Sequence, residues 1–201
     1  LICDIFNEFH IPIQYTQEKG LATSPLITWF FSMLDLAFLP LTNINLNTFF
    51  SAPLTRSITL KNKSTITASP SVITKFISCF KGGMTLNKWL EKIKITYELD
   101  IKNTPQFHDT LTVTSAFTTK ITSLTPASSY TDILTIKDAL FKLINIPKQY
   151  DSLAFDDHIN IISEYNAMNN HFDTFKQISS TIYPYYTFSA LYPLLKDYIK
   201  S

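Results

Sequence analysis

The stretch from Ser24 to Phe38 constrains the fold more than any other part of the chain. Thr23-Ser24-Pro25 supplies a capping hydroxyl followed by proline at a first helical position, where the missing N–H costs nothing, so a helix is predicted to start there. Leu26, Ile27, Trp29, Phe30, Phe31, Met33, Leu34 and Leu36 leave it apolar nearly all round. A helix of that kind must be buried on several sides. A membrane span is the competing explanation for residues 25–41. That segment holds only about 17 residues where spanning needs about 20, contains Asp35 and ends at Pro40. A buried core helix is therefore predicted, and no membrane partner.

The remaining signals are also mainly helical. Leu46 to Phe50 reads as a short helix broken by Ser51-Ala52-Pro53-Leu54. Thr55 to Ala68 is rich in Thr, Lys and Ser with little periodicity, which predicts a loop or a ragged hairpin. Ser69-Pro70 repeats the cap-then-proline signal for a helix over about 71–80, and Gly82-Gly83 provides its stop. Helices are predicted to begin at Thr85 and at Thr104-Pro105, the second loaded with β-branched threonines that lower helix propensity. Ser129-x-x-Asp132 resembles a capping box ahead of Ile133, Leu140 and Leu143, with an end expected at Asn145-Ile146-Pro147. Beyond Asp156-Asp157, the residues Ile162, Tyr165, Met168, Phe172, Phe175, Ile178 and Ile182 step by 3, 3, 4, 3, 3 and 4, a one-sided apolar stripe. That helix should run about 24 residues, or about 36 Å. A last helix is predicted from about Thr187 to Ile199.

Charge and composition exclude more than they assign. In 201 residues there are 17 basic and 16 acidic side chains, and only Arg56 is arginine. A net charge of +1 gives no global field to draw the chain onto nucleic acid or an anionic membrane. An apolar fraction of 45% excludes intrinsic disorder. Cys3 and Cys79 are too few for a disulfide framework, and no secretory signal pattern opens the chain, so a reducing, cytoplasmic location is expected. The chain opens on Leu1 inside an apolar pattern, which suggests a piece of a longer protein.

Motifs for catalysis are missing or explained more simply. No glycine-rich phosphate loop is present, and Lys81-Gly82-Gly83 reads as a helix stop. His10, His108, His158 and His171 are scattered, and neither cysteine has a partner at metal-ligand spacing, so no metal and no cofactor are expected. Asp156-Asp157-His158 reads as carboxylates complementing a helix dipole, and His171 as a surface residue flanking the stripe. Glu98-Leu99-Asp100-Ile101-Lys102 contains the acidic-x-Lys end of a PD-(D/E)xK nuclease motif, without the upstream carboxylate that would complete a metal site. Tyr183, Tyr185 and Tyr186 could stack on bases, but a tyrosine-rich helix boundary packed on the core is the simpler account. One local excess of positive charge stands out: Arg56, Lys61, Lys63, Lys75 and Lys81, with no Asp or Glu between Asp35 and Glu91. These five are the candidate nucleic-acid-binding residues, with Thr and Ser hydroxyls beside them able to reach phosphate oxygens. A solvated loop is the rival account.

Phe9-His10-Ile11-Pro12-Ile13-Gln14-Tyr15 followed by Leu21-Ala22-Thr23-Ser24-Pro25-Leu26-Ile27-Thr28-Trp29-Phe30 resembles the short-helix, Ile-Pro strand and Ser-Pro-Leu helix passage of UvrD-type helicases. Leu46-Asn47-Thr48-Phe49-Phe50-Ser51-Ala52-Pro53-Leu54 is similar to that family's leucine-leucine-x-Ser-Pro-leucine element. The resemblance covers residues 1–56 and is nearest to inactivated helicase-like subunits of the AddB and RecC kind, including repair proteins with a RecB-like nuclease. It implies an irregular multi-helix domain with a helix–strand remnant of a RecA-like α/β domain at residues 1–20 and an inserted helical subdomain over 21–201. It also implies a non-catalytic role in double-strand break repair and recombination, guiding DNA or contacting a helicase/nuclease partner subunit. No catalytic residue comes with it, since that family's ATPase loop lies upstream and its nuclease carboxylates downstream. The single arginine sets this chain apart from arginine-rich DNA-tracking regions and restricts DNA contact to the acid-free stretch. The rival expectation is a helical interaction or scaffold domain with no nucleic-acid role.

Overall fold

The computed structural model describes residues 24–60, 62, 64–144, 155–182 and 186–200, with the side chains of 155–163, 199 and 200 left aside. The expected remnant at residues 1–20 lies outside this set. The described residues are mainly α: nine helices and one two-stranded hairpin. The helices are α1 (Pro25–Phe38), α2 (Asn43–Phe50), α3 (Pro70–Ser78), α4 (Leu86–Thr96), α5 (Glu98–Asn103), α6 (Pro105–Ile121), α7 (Tyr130–Ile144), α8 (Phe155–Ile182) and α9 (Phe188–Lys200).

Helix α1 begins where its proline signal placed it. The Ser24 hydroxyl accepts from the Ile27 N–H at 3.4 Å and donates to Glu164 Oε2 at 2.6 Å, so the cap also ties α1 to α8. Nine of its residues, including Ser32, are buried. The aromatic rings show what buries them. Trp29 packs on Phe49 of α2 (5.8 Å between centroids), Phe117 of α6 (6.4 Å) and Phe141 of α7 (5.9 Å). Phe30 meets Phe172 of α8 edge-on at 5.3 Å, and Phe31 meets Tyr192 of α9 at 6.1 Å. Five helices thus cover one. Removing an aromatic side chain of that size from water is worth about 1.5–3 kcal/mol.

A buried indole needs an acceptor, and the turn after α2 supplies it. Trp29 Nε1–H donates to Thr55 Oγ1 at 2.7 Å, and that hydroxyl donates onward to the Phe49 carbonyl at 2.7 Å. Thr55 closes a 3₁₀ turn, Pro53–Thr55, whose proline ends the run from α2. The basic, Thr-rich segment then forms the hairpin: β1 (Ser57–Thr59) pairs antiparallel with β2 (Thr65–Thr67), with Ile58 opposite Ile66. Ile58 is buried, and β1 and β2 lie against α7 and α6 respectively. At the hairpin's base the Ala68 N–H donates to the Arg56 carbonyl at 2.6 Å.

In the threonine-rich α6, two of the buried hydroxyls find partners within the helix. Thr110 and Thr114, both fully buried, donate to the carbonyls of Gln106 (2.6 Å) and Thr110 (2.8 Å). Thr110 Oγ1 also accepts the Ser69 N–H at 2.9 Å, which fixes the start of α3 against α6. Thr118, equally buried, has a hydroxyl without a partner among the described residues.

At the other end, polar anchors fasten α7 and α9. Tyr130 donates to the Phe172 carbonyl at 2.7 Å, joining α7 to α8. The buried Lys137 ammonium donates to Asn169 Oδ1 on α8. Tyr192 donates to Asp35 Oδ1 at 2.7 Å and lies 3.1 Å from the Phe31 carbonyl, while Lys196 donates to both Asp35 oxygens at 3.0 and 3.2 Å. Burial, then the Asp35 bond and charge, push the Tyr192 phenol above its ordinary value. Burial and the charge of Asp173 do the same to Tyr130.

Two expectations are corrected. The stripe of α8 is not one-sided to its end: Met168, Phe172 and Phe175 are buried, but Ile178 and Ile182 are 42% and 59% exposed. Ser179 is buried between them, so the covered face runs through Met168, Phe172, Phe175 and Ser179 and leaves the two isoleucines to one side. A short helix not expected from the sequence, α5, follows α4 and is divided from it at Tyr97, which adopts φ −116° and ψ 28°.

Replacing Thr55 by valine leaves the Trp29 N–H buried without an acceptor and should cost about 1–3 kcal/mol. Thr55→Ser should retain most of it; urea unfolding midpoints of the two variants check this. The Asp132 carboxyl, held below its ordinary 3.8 by the backbone N–H and then the hydroxyl of Ser129, should titrate lower than that by NMR. Its folded value is depressed, so its support for the start of α7 is complete above pH 3.8 and is lost as pH falls through the lower value.

Candidate nucleic-acid interface

Of the five cations singled out by the sequence, Arg56, Lys75 and Lys81 are described and all are exposed; Lys61 and Lys63 lie outside the described residues. Arg56 sits between the 3₁₀ turn and β1, and its Nη2 donates to the Ser51 carbonyl at 3.4 Å. Lys75 rides on the last turn of α3 with its ammonium 5.2 Å from the centre of the Phe107 ring. That ring lies one turn before Thr110, the residue that holds Ser69. Arg56 and Lys75 are therefore joined through a short run of backbone: the hairpin base at Arg56 and Ala68, the Ser69–Thr110 bond, and the first turn of α6.

Lys81 follows α3 in the turn to α4, where Gly83 takes φ +81°, a left-handed conformation that glycine enters without a Cβ penalty. The helix itself ends earlier than expected, at Ser78 with Cys79 as its cap, and the Lys81-Gly82-Gly83 run forms the turn beyond it. Trp89 of α4 then reaches back, its Nε1–H donating to the Phe76 carbonyl at 2.9 Å. Its neighbour Lys88 is exposed on the same helix, α4. Lys88 belongs to the same acid-free stretch, which runs to Glu91, and the rule that selected the other five would have found it. Among the described residues, Arg56, Lys75, Lys81 and Lys88 form no ion pair with a carboxylate. Further on, by contrast, Lys94 pairs with Glu91 at 2.7 Å and Lys102 with Glu98 at 2.6 Å.

Other chemistry-bearing candidates have ordinary roles. Glu98, Asp100 and Lys102 occupy an exposed helix, not the strand a nuclease motif uses, and the Lys102 bond and charge hold the Glu98 carboxyl below its ordinary value. Among the described residues no group of three His, Cys, Asp or Glu side chains could hold a metal ion. The side chains of Asp156, Asp157 and His158 fall outside the description, as do His10 and Cys3. His171 is half-buried instead of on the surface: its ring packs edge-on against Tyr198 at 5.7 Å, and Nδ1 has no hydrogen-bond partner among the described residues. Tyr186 is exposed, and Tyr183 and Tyr185 are outside the described residues. No helix is long and apolar enough to cross a membrane, among the described residues.

Compared with protein-family models, with curated proteins and with solved structures, the chain finds no match.

Proposed function

We propose that this chain is a non-catalytic helical module of a helicase-like protein that processes double-strand breaks, and that it guides DNA by its phosphates. The observation that carries the reading is the charge of one stretch. Six cations and no carboxylate lie between Asp35 and Glu91, and the four described ones are exposed without carboxylate partners. In a chain of net charge +1 this is the one segment able to hold a polyanion. Arg56, Lys61, Lys63, Lys75 and Lys81 are its contacts, and the resemblance over residues 1–56 supplies the repair context. Contact with a helicase/nuclease partner subunit fits the same module.

A second reading, a protein-interaction or scaffold domain without a nucleic-acid role, is favoured by Ile95 and Leu99. These two apolar side chains are 72% and 73% exposed on α4 and α5.

The readings part in a salt titration of duplex DNA binding followed by fluorescence anisotropy. The DNA reading expects affinity that falls steeply with salt, and a joint Arg56→Ser, Lys75→Gln, Lys81→Gln variant whose log–log slope is shallower by about 2–3. Circular dichroism melting should show the variant folded. Absence of DNA binding at low salt contradicts the reading, and binding that the triple variant leaves unchanged removes these residues from it.

A further inference from the structure

All six aromatic residues of the acid-free stretch are turned to the core's use. Phe49, Phe50, Phe76, Phe80 and Trp89 are buried at 0–9% exposure, and Phe38 is half-buried against Phe188 and Tyr192. Phe49 meets Phe117 edge-on at 5.6 Å, Phe50 packs on Trp89 at 5.2 Å, and Phe76 on Phe107 at 6.0 Å. The Phe107 ring is itself overlaid by the Lys75 ammonium. No ring of this stretch is left to receive a nucleobase. Outside, the stretch presents the cations Arg56, Lys75, Lys81 and Lys88 and the hydroxyls of Thr65 and Thr67 on β2, with aliphatic Leu39 and Ile44 exposed away from them in sequence, neither of which offers a base a ring to stack on.

Single-strand binding surfaces combine a basic groove with aromatic platforms on which bases stack. A surface with cations and hydroxyls alone engages phosphates, which position a nucleic acid without reading it. Phosphate density then decides preference. A duplex carries one charge per about 1.7 Å of axis, a single strand about half as many per unit length.

We infer that the site recognises the sugar-phosphate backbone alone, blind to bases, with Lys88 as a further phosphate contact and with a duplex preferred over a single strand. This deepens the proposed DNA reading and rests on it. The structure gives the chemistry its limit: the rings that would discriminate single strands are spent on packing, and moving any of them outward would open the core beneath α1 and α4.

Three polymers of equal length separate the outcomes: a 20-base-pair duplex, a 20-mer of thymidylate and a 20-mer abasic deoxyribose-phosphate strand, each titrated by anisotropy at several salt concentrations. The inference expects the abasic strand to bind within about twofold of the thymidylate strand, since no stacking is lost, and the duplex to bind tighter than both. An abasic strand weaker by about fivefold or more, the loss expected from even one stacked base, overturns it while leaving the DNA reading intact. A thymidylate strand that binds tighter than the duplex overturns it likewise. Failure of all three to bind contradicts the DNA reading itself. Lys88→Gln should make the duplex salt slope shallower by about one unit, with an unchanged slope removing Lys88 from the site.

Discussion

Helix α1 has almost no face it can show to water, and the surrounding helices are arranged as its cover. Trp29 alone touches rings from α2, α6 and α7, while Phe30 and Phe31 reach α8 and α9. The polar bonds follow from the same demand. Burying an indole calls for Thr55, and Asp35, the one acid on α1, is answered by Tyr192 and Lys196 from α9. Each of those partners brings a distant segment of chain to α1 with a directional bond, which specifies the arrangement that apolar burial alone would leave loose.

Most of this order was legible in the sequence because the helix starts are marked by strong local chemistry. Ser24-Pro25, Ser69-Pro70 and Thr104-Pro105 all sit at helix N-termini, and all three prolines occupy the first turn. The hairpin was half legible: Thr and Ile favour strands, yet each strand has only three residues, too few for an alternation to be read. The end of the α8 stripe was not legible. Periodicity reports which side of a helix is apolar, not which residues its partners cover, and Ser179 is buried where Ile178 and Ile182 are exposed. His171 shows a related limit, since the ring it packs against is Tyr198 of α9, distant in the chain.

For the candidate interface the sequence carried the charge pattern, and the structure added what faces inward. The stretch between Asp35 and Glu91 supplies the core with Phe49, Phe50, Phe76 and Trp89 while placing its cations outside. The two facts are linked by spacing. On α4, Trp89 and Ile93 fill the buried face, which leaves Lys88 and Lys92 on the outer one. The threonines follow the same division. Thr110 and Thr114 of α6 satisfy their hydroxyls on their own helix backbone within the core, whereas Thr65 and Thr67 on β2 face solvent. A segment built this way contributes heavily to folding from one side and keeps its described cations on the other.

The central claim is that the surface left by this division is where the molecule meets a polyanion. Hydrogen–deuterium exchange of the chain with and without a short DNA duplex locates that contact directly. Duplex-dependent protection confined to residues 56–94, across the hairpin, α3 and the first turns of α4, is the result the account predicts. Protection on α8 and α9 instead, with the 56–94 amides unchanged at a duplex concentration that saturates binding, would contradict it.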